Sequence, residues 1–257
     1  MEIKNQSSSN QQLVALVTGG NQGVGFEIVK ALAENGYTVY LGSRNVENGE
    51  KAAATLGENA RAIQIDVTQQ DSIAAAAAHI EAEQGRLDLL VNNAGISHSG
   101  KAGRSLEELM DGGRATVASL DEVRAVWETN VFGVIAVTQA MLPLLRKSSA
   151  ARIVNVSSGL GSLTWILDPA CWAKEHYNVV YAASKTALNG VSIAFALELE
   201  KENIKVNVVS PGFTATALNN YQGTDSLEVG SREPVRVALD TNAPNMTYTG
   251  PDGPLPW

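Results

Sequence analysis

Tyr181 and Lys185 are the pair of residues whose types and spacing most directly suggest chemistry. They stand four positions apart in the segment YAASK, so a helix would place both side chains on one face. A phenol with a reference pKa of about 10 is a poor proton donor or acceptor at neutral pH. A nearby ammonium lowers that pKa and makes tyrosine a usable general acid or base. The pair therefore predicts proton transfer, although a single Y-x-x-x-K also occurs by chance on surface helices.

A cluster of glycines in residues 18–25, TGGNQGVG, lies where an apolar run ends and a helical pattern begins. Glycine permits positive φ and lets the backbone approach a pyrophosphate closely. The helix that follows offers unpaired N–H groups and a favourable dipole to phosphates. The spacing Gly19-x-x-x-Gly23-x-Gly25 differs from G-x-G-x-x-G, but its position after the first strand predicts a dinucleotide site. The alternative is a tight turn without a ligand.

The end of the second strand reads LGSRN, with Ser43 followed by Arg44. A carboxylate at this place usually holds the ribose 2′-hydroxyl of NAD, whereas an arginine accommodates the 2′-phosphate of NADP. Arg44 can meet a phosphate bidentately, so the chain is predicted to bind NADPH. Gln22 adds no positive charge to the glycine turn, so the preference need not be absolute. The alternative for Arg44 is a solvated loop arginine.

Short β-branched or leucine-rich runs alternate with helical patterns along the chain. The predicted strands are 13–18, 37–43, 61–66, 87–94, 151–158 and 204–211, and the predicted helices are 23–35, 46–56, 70–84, 121–147 and 180–202. Because the strands are almost continuously apolar, helices are expected on both faces of the sheet. The pattern indicates an α/β fold, a Rossmann-like doubly wound parallel sheet.

The chain is predicted to form a single domain without a second unit or an internal repeat. The expected parts of this domain, residues 1–257, are a flexible N-terminus (1–12), a Rossmann core (13–217), and a substrate lid with a C-terminal tail (218–257). Residues 97–120 suggest a surface insertion with a short helix, and residues 213–232 a flexible lid over the substrate. The tail from residue 240 is rich in turn formers and has no periodicity.

Composition narrows the class of protein. A formal net charge of -8 and a pI near 5.0 argue against a nucleic-acid partner. A single cysteine, Cys171, cannot form an internal disulfide, which fits a cytoplasmic location. The polar N-terminus does not resemble a signal peptide, and no apolar run approaches the ~20 residues of a membrane span. Because His79, His98 and His176 lack metal-ligand spacing, no metal is expected.

Several motifs occur together and in order. They are TGGNQGVG (18–25), Asp66-Val67 after the third strand, NNAG (92–95), TNVFG with Asn130, VNVSS ending at Ser158, YAASK (181–185) and PGFTAT (211–216). With this set, the sequence resembles the short-chain dehydrogenase/reductase family from residue 13 to about 230. Within that family it is most similar to NADPH-dependent carbonyl reductases. The joint match is far more specific than any one motif.

The resemblance implies four catalytic residues. Tyr181 matches the family's acid/base, and Lys185 the lysine that lowers its pKa and holds the nicotinamide ribose. Ser158, in preference to Ser157, matches the serine that polarises the substrate carbonyl. Asn130 matches the asparagine that maintains a water-linked proton relay to the lysine.

The resemblance and the glycine turn together imply an NADPH site. Its expected residues are Gly19, Asn21, Gln22, Gly23, Val24, Gly25, Ser43, Arg44, Asp66, Val67, Asn93, Ala94, Gly95, Tyr181, Lys185, Pro211, Gly212, Thr214 and Thr216.

The chain departs from the family pattern at two places. Ser158 and Tyr181 are 23 positions apart, more than is usual, and the stretch from NNAG to Asn130 is also long. Both extra segments could rim the substrate pocket, with Leu160, Trp165 and Trp172 near an apolar substrate or, alternatively, packed in the core. A homo-oligomer, dimer or tetramer, fits the family, but the longer segment could cover the usual dimer surface, so a monomer stays open.

The leading function is reduction of an aldehyde or ketone with NADPH, with Tyr181 as general acid. The first alternative is an NADP-dependent alcohol or hydroxysteroid dehydrogenase working oxidatively, because the same residues serve both directions. The second is a nicotinamide-binding sensor without catalysis, which would be expected to lack catalytic residues that are present here. Cys171 in an apolar stretch is expected to be buried and unreactive, and His98 either touches the pocket or lies in an ordinary loop.

Overall fold

The computed structural model describes residues 12–99 and 103–257. The strands are β1 (Val14–Val17), β2 (Thr38–Ser43), β3 (Ala60–Gln64), β4 (Leu89–Asn92), β5 (Arg152–Val156), β6 (Lys205–Val209), β7 (Tyr248–Gly250) and β8 (Gly253–Pro254). Across the described chain they form one sheet in the order β3-β2-β1-β4-β5-β6-β7-β8. All neighbours are parallel except β7 and β8.

Helices cover both faces of this sheet. They are α1 (Gly23–Glu34), α2 (Val46–Ala53), α3 (Gln70–Gln84), α4 (Leu106–Gly112), α5 (Leu120–Trp127), α6 (Gly133–Leu145), α7 (Leu163–Leu167), α8 (Ala182–Leu199) and α9 (Leu227–Leu239). Short 3₁₀ turns lie at Gly159–Gly161, Lys174–His176, Glu200–Glu202 and Ala217–Asn219. The predicted doubly wound parallel sheet is therefore confirmed.

Two hydrophobic clusters explain why the central strands are almost continuously apolar. On one face, Ile73 of α3, Met141 of α6 and Leu199 of α8 belong to the same buried cluster. On the other face, Ile28 of α1 and Val237 of α9 belong to a second one. Since each central strand contributes side chains to both clusters, both strand faces are mainly apolar, and the few polar strand residues, such as Asn155, are buried and hydrogen-bonded.

β1 and β4 are neighbours in the middle of the sheet. From β1 the chain adds strands toward one edge, and from β4 it adds them toward the other. Val17 pairs with Leu41 on one side and with Val91 on the other. The loops after β1 and β4 therefore leave the same edge of the sheet and separate there. In open α/β sheets this crevice is where ligands bind.

The C-terminal tail, which is rich in turn formers and has no periodicity, forms two short strands. Tyr248–Gly250 pairs in parallel with β6, and β8 turns back against β7. The sheet thus continues past residue 217, where the predicted core ended. These strands of three and two residues are too short, and too rich in glycine and proline, to show a periodicity in the sequence.

The segment 213–232 runs into a helix, and its part as a flexible lid stays a prediction. From Leu227 onward the chain is helix α9, which buries Val237 and Ala238 in the core beside α1. At Gly230 a side chain would overlap Thr214, so the start of α9 packs tightly on the loop after β6. The part before α9 is also closely packed at Gly223, where an added Cβ would overlap the backbone of Thr214 and Ala215.

The predicted helix 121–147 is interrupted in the middle. Between α5 and α6 the chain forms one π-helical stretch, Glu128–Phe132, which contains Asn130. The whole run Leu120–Leu145 has the length and composition of a membrane span, which corrects the prediction that no apolar run approaches that length. Half of its most apolar window is buried in the fold.

The remaining predictions have mixed outcomes. The inserted segment after NNAG contains the expected short helix, α4. Residues 100–102 of this segment lie outside the described residues. The predicted flexible N-terminus likewise lies outside them, except for Gln12. Cys171 is buried, as expected.

Candidate active site

The glycine turn after β1 is braced by the loop after β4. Gly19 and Gly23 have φ of 62° and 58°, a conformation that favours glycine. The Asn93 side-chain amide donates to the carbonyls of Thr18 (2.9 Å) and Gly19 (3.0 Å). A side chain at Gly25 would overlap that amide. The sequence therefore folds here into a turn whose backbone lies open at the crevice.

The first turn of α1 fits the pyrophosphate of a dinucleotide. In this fully described helix, no side chain caps the N-terminus and no acidic residue lies in the first turn. A Cβ atom added at Gly23 would meet only Thr216 Cγ2, at 3.7 Å. A pyrophosphate can therefore reach the free N–H groups and the positive end of the helix dipole.

One cavity of about 1550 Å³ lies above this turn and brings most of the predicted residues together. Its lining includes Gly19, Asn21, Gln22, Gly23, Val24, Gly25, Arg44, Asp66, Val67, Asn93, Ala94, Gly95, Ser158, Tyr181, Lys185, Pro211, Gly212, Thr214 and Thr216. Of the predicted site residues, Ser43 and Asn130 are not part of this lining.

Ser43 lies beside the cavity rather than in it, and its assignment to the cofactor site stays a prediction. Its side chain is buried under Gly49 of α2, and its hydroxyl donates to the Asn45 carbonyl at 2.8 Å. The last residue of a buried strand points either inward or outward, and here the serine points inward. The next residue, Arg44, is exposed and lines the cavity.

Tyr181 immediately precedes α8, and Lys185 lies one turn into it. The Asn178 side chain accepts the Tyr181 N–H at 2.8 Å and so fixes the start of the helix. Lys185 Nζ donates to the Val156 carbonyl at the end of β5, at 2.9 Å. The same Nζ lies 5.7 Å from the centroid of the Tyr181 ring. The expected shared face is therefore present.

The protonation equilibria of the pair differ from the expectation that Lys185 lowers the pKa of Tyr181. Burial raises the pKa of Tyr181 to about 12, and a hydrogen bond with the Ser158 side chain opposes that rise. Burial also lowers the pKa of Lys185 to about 8. Because the charged form of each group loses hydration in the protein, both equilibria move toward the neutral form.

Ser158 follows β5 and faces Tyr181. Its hydroxyl oxygen accepts the Leu160 N–H at 3.3 Å, which leaves the hydroxyl proton for another acceptor. The neighbouring Ser157 hydroxyl donates to Asn189 Oδ1 at 2.7 Å and is buried. The preference for Ser158 over Ser157 as the serine nearest the reacting groups agrees with this arrangement.

Asn130 is fully buried, and its side chain holds two neighbouring segments in place. Its side chain accepts the Ile96 N–H (2.9 Å) and donates to the Ile96 carbonyl (2.8 Å) and to Ser184 Oγ (3.0 Å). The π-helical turn aims the amide at the loop after NNAG, in keeping with the occurrence of such turns at functional sites. The side chain thus ties that loop to α8; its predicted part in a proton relay stays a prediction.

The long segment before Tyr181 forms an aromatic wall of the cavity, made of Trp165, Trp172 and His176. Trp165 lies against Gly159, where an added Cβ would be 3.0 Å from the ring. Its ring centroid is 6.0 Å from that of Trp172, which in turn is 6.4 Å from His176, each pair edge to face. Leu160 also lines the cavity. All three residues expected near the pocket are therefore there, and Trp172 remains 68% exposed.

Tyr248 is a neighbour of the site that sequence reasoning missed. It lies on β7, and its hydroxyl donates to the Ser158 carbonyl at 2.5 Å. Its ring packs against Trp257, with centroids 5.3 Å apart. No motif includes this tyrosine, and the tail in which it lies shows no periodicity that could have pointed to it.

Comparison with known proteins assigns the chain to a family. The family model for short chain dehydrogenase matches residues 13–226. The chain is 40% identical over 236 residues to a short-chain dehydrogenase, anuI, of Penicillium roqueforti (strain FM164), with 88% of each chain covered. This protein belongs to the short-chain dehydrogenase/reductase family and is an oxidoreductase of that family, which binds nicotinamide cofactors.

Two solved structures resemble the fold described here. Salutaridine reductase from Papaver somniferum superposes with a TM-score of 0.77 at 30% identity, over 92% of this chain and 99% of that one. An active-site complex of RhlG with NADP from Pseudomonas aeruginosa gives a TM-score of 0.60 at 31% identity, over 78% of this chain and 72% of that one.

Proposed function

We propose that this protein reduces an aldehyde or ketone to an alcohol with NADPH, with Tyr181 as the general acid. The observation that carries the proposal is the meeting of Ser158, Tyr181 and Lys185 with the glycine turn in one cavity. The reductase name of a structural relative supports the reaction direction. A sensor without catalysis would have no need of these three side chains together.

The cofactor would lie along the glycine turn and the loop after β4. Gly19, Gly23 and the first turn of α1 would hold its pyrophosphate, and Asn93 with Thr216 would flank it. When bound, NADPH supplies the hydride that the reduction requires. The chain itself has to bind the carbonyl, orient it and provide the proton.

Tyr181 and Ser158 would act on the substrate oxygen as hydrogen-bond donors. Two donors fixed before the reaction stabilise negative charge as it develops on that oxygen, and Tyr181 then transfers its proton. Below its pKa of about 8, Lys185 carries a charge, and this ammonium, held by the Val156 carbonyl close to the phenol ring, would stabilise the phenolate that remains. Asn130 would keep the loop after NNAG and α8 in register with each other.

The preference for NADPH rests on Arg44. It is exposed at the end of β2 and lines the cavity, and no carboxylate stands beside it in the segment LGSRN. A guanidinium there can bind a 2′-phosphate bidentately. The NADP in the complex of a structural relative agrees with this preference.

The aromatic wall suggests an apolar, ring-containing substrate. The edges and faces of Trp165 and Trp172 offer contact area for a flat apolar ring.

We further propose that residues 1–257 work as one domain in the cytoplasm on a small molecule, without nucleic acid or membrane. The proposed assembly is a homo-oligomer, in the form common in the family.

The test is the loss of NADPH absorbance with a panel of aldehydes, diketones, ketoesters and aryl or cyclic ketones. The expected result is turnover with NADPH and weaker turnover with NADH. Arg44→Ala should bring the two cofactors closer by raising KM for NADPH about tenfold or more, since a charged hydrogen bond is lost. Absence of turnover on every carbonyl, despite NADPH binding, would contradict the reductase function.

A further inference from the structure

We propose that His98 recognises a hydroxyl group of the substrate through its Nε2 atom. This inference rests on the proposed function, because it describes how that cavity selects its substrate. His98 lies three residues after Gly95 and lines the cavity. Its ring is fixed by a chain of hydrogen bonds that decides which nitrogen carries the proton.

The chain of hydrogen bonds runs from Leu218, in the segment between β6 and α9, through Ser97 to His98. The Ser97 hydroxyl donates to the Leu218 carbonyl at 2.5 Å. A serine hydroxyl has a single proton, so this bond uses it. Ser97 Oγ also lies 2.8 Å from His98 Nδ1. In that contact the serine can only accept, so His98 Nδ1 must carry the proton.

A neutral imidazole protonated on Nδ1 has a lone pair on Nε2. Burial lowers the pKa of His98, and the positive charge of Arg104 lowers it further, against the opposing effect of Glu122. The carboxylate of Glu122 is itself bound by two nitrogens of Arg104. His98 is therefore neutral at pH 7, and Nε2 is a hydrogen-bond acceptor.

Within the described residues, His98 Nε2 has no hydrogen-bond partner, whereas Nδ1 has one. Further hydrogen bonds hold Arg104 in place beside this segment. Arg104 donates to the Ser99 carbonyl at 2.7 Å, and the Arg104 carbonyl accepts from Asn220 at 2.9 Å. A fixed acceptor on the wall of a cavity suits a donor on the ligand. A hydroxyl fits better than an ammonium, because the guanidinium of Arg104 would repel a second cation.

The aromatic wall and this acceptor together define a class of substrate. The wall suits an apolar ring, and His98 adds one directional contact for a hydroxyl on it. A hydroxylated aryl or cyclic ketone has both features. An ether in place of the hydroxyl has the same ring but no proton to donate, so it should bind less well.

The experiment compares matched ligands on the full chain saturated with NADP⁺. Dissociation constants of meta- and para-hydroxyacetophenone and of their methyl ethers are measured by calorimetry, and the same ketones are tested for turnover with NADPH. The wild type should bind at least one phenol about tenfold more tightly than its ether, the size expected for one buried hydrogen bond.

Three substitutions separate the two ring nitrogens. His98→Asn can keep a donor near Ser97 but has no acceptor at the Nε2 position, and His98→Phe has neither. His98→Gln reaches the Nε2 position with an amide. The preference for the phenol should fall to about onefold in the first two variants and persist in part in His98→Gln.

Equal binding of each phenol and its ether by the wild type, or no measurable binding of either, would overturn the assignment of His98. An undiminished preference in His98→Phe would overturn it as well. Discrimination in binding without turnover of any ketone would support His98 and contradict the proposed reductase function alone, so the two failures can be told apart.

Discussion

At the scale of a single residue, Lys185 is a side chain of the candidate site whose burial lowers the stability of the fold. Its ammonium is buried, and the associated fall of its pKa from 10.5 to about 8 corresponds to about 3 kcal/mol against the charged form. The hydrogen bond to the Val156 carbonyl does not offset that cost. A lysine held at this cost in a cavity beside a tyrosine is typical of a functional site.

Lys185→Met is therefore expected to stabilise the fold at pH 7 while it removes turnover. The buried charge is lost, whereas the Val156 carbonyl loses a donor, so the net gain should be about 1 to 2 kcal/mol. Thermal unfolding measured at pH 7 gives the answer, with the exposed Lys201→Met as control. A variant no more stable than the wild type would contradict this account of Lys185.

The pH dependence of stability has a defined sign at this residue. The folded chain loses the Lys185 proton near pH 8, but the unfolded chain keeps it to about 10.5. Between these values the unfolded state binds more protons, so the Lys185 contribution to stability rises with pH. In Lys185→Met this rise should be absent, which a comparison of unfolding free energies at pH 7 and pH 9 would detect.

At the scale of the elements, β7 supports the loop that carries Ser158. Tyr248→Phe keeps the ring that packs on Trp257 but removes the hydroxyl that donates to the Ser158 carbonyl. We expect kcat to fall about tenfold, with KM and the affinity for NADPH unchanged, because only the position of Ser158 is loosened. Steady-state kinetics and cofactor titration measure the split.

The control for that variant is Tyr40→Phe, which removes a tyrosine hydroxyl bonded to Glu83 and outside the cavity lining. A tenfold rise in KM with unchanged kcat in Tyr248→Phe would mean that the tyrosine acts on substrate binding instead. An unchanged kcat together with an unchanged KM would show that Ser158 does not depend on this hydrogen bond.

Elements with a strong local pattern were predictable from the sequence, and those fixed by tertiary contact were not. The glycine turn and the six apolar strands have local signals, and so does the helix that carries Tyr181 and Lys185. By contrast, β7 is strand only because β6 offers it a free edge. The inward orientation of Ser43 depends on the packing of α2 over β2, and the direction of the pKa shift at Tyr181 depends on burial.

At the scale of the whole molecule, Arg152 joins the sheet to the last helix. It is 4% exposed on β5 and donates to the carbonyls of Ala238 (2.8 Å) and Asp240 (3.0 Å) at the end of α9, and to the Tyr37 hydroxyl (3.1 Å). A cation at a helix C-terminus is favoured by the helix dipole. Its partners are neutral groups of two separate segments, the end of α9 and the residue before β2.

Arg152→Met should lower the free energy of unfolding by about 2 to 4 kcal/mol. The substitution removes the side-chain donor of the buried Ala238 carbonyl and one of the two donors of the part-buried Asp240 carbonyl, and it frees the end of α9. Chemical denaturation measures the loss, and Arg232→Met, which alters an exposed ion pair, should change stability by less than about 1 kcal/mol. Equal stability of the two variants would contradict the role given to Arg152.

The central claim is that Tyr181 delivers the proton in an NADPH-dependent carbonyl reduction. The most direct measurement compares NADPH oxidation in Tyr181→Phe with that in Tyr177→Phe, which loses a nearby hydroxyl bonded to Thr186 instead. The affinity of both variants for NADPH is measured in parallel. Turnover abolished in Tyr181→Phe but retained in Tyr177→Phe, with NADPH bound equally well, is the predicted result. Turnover of Tyr181→Phe near the wild-type rate would contradict the account.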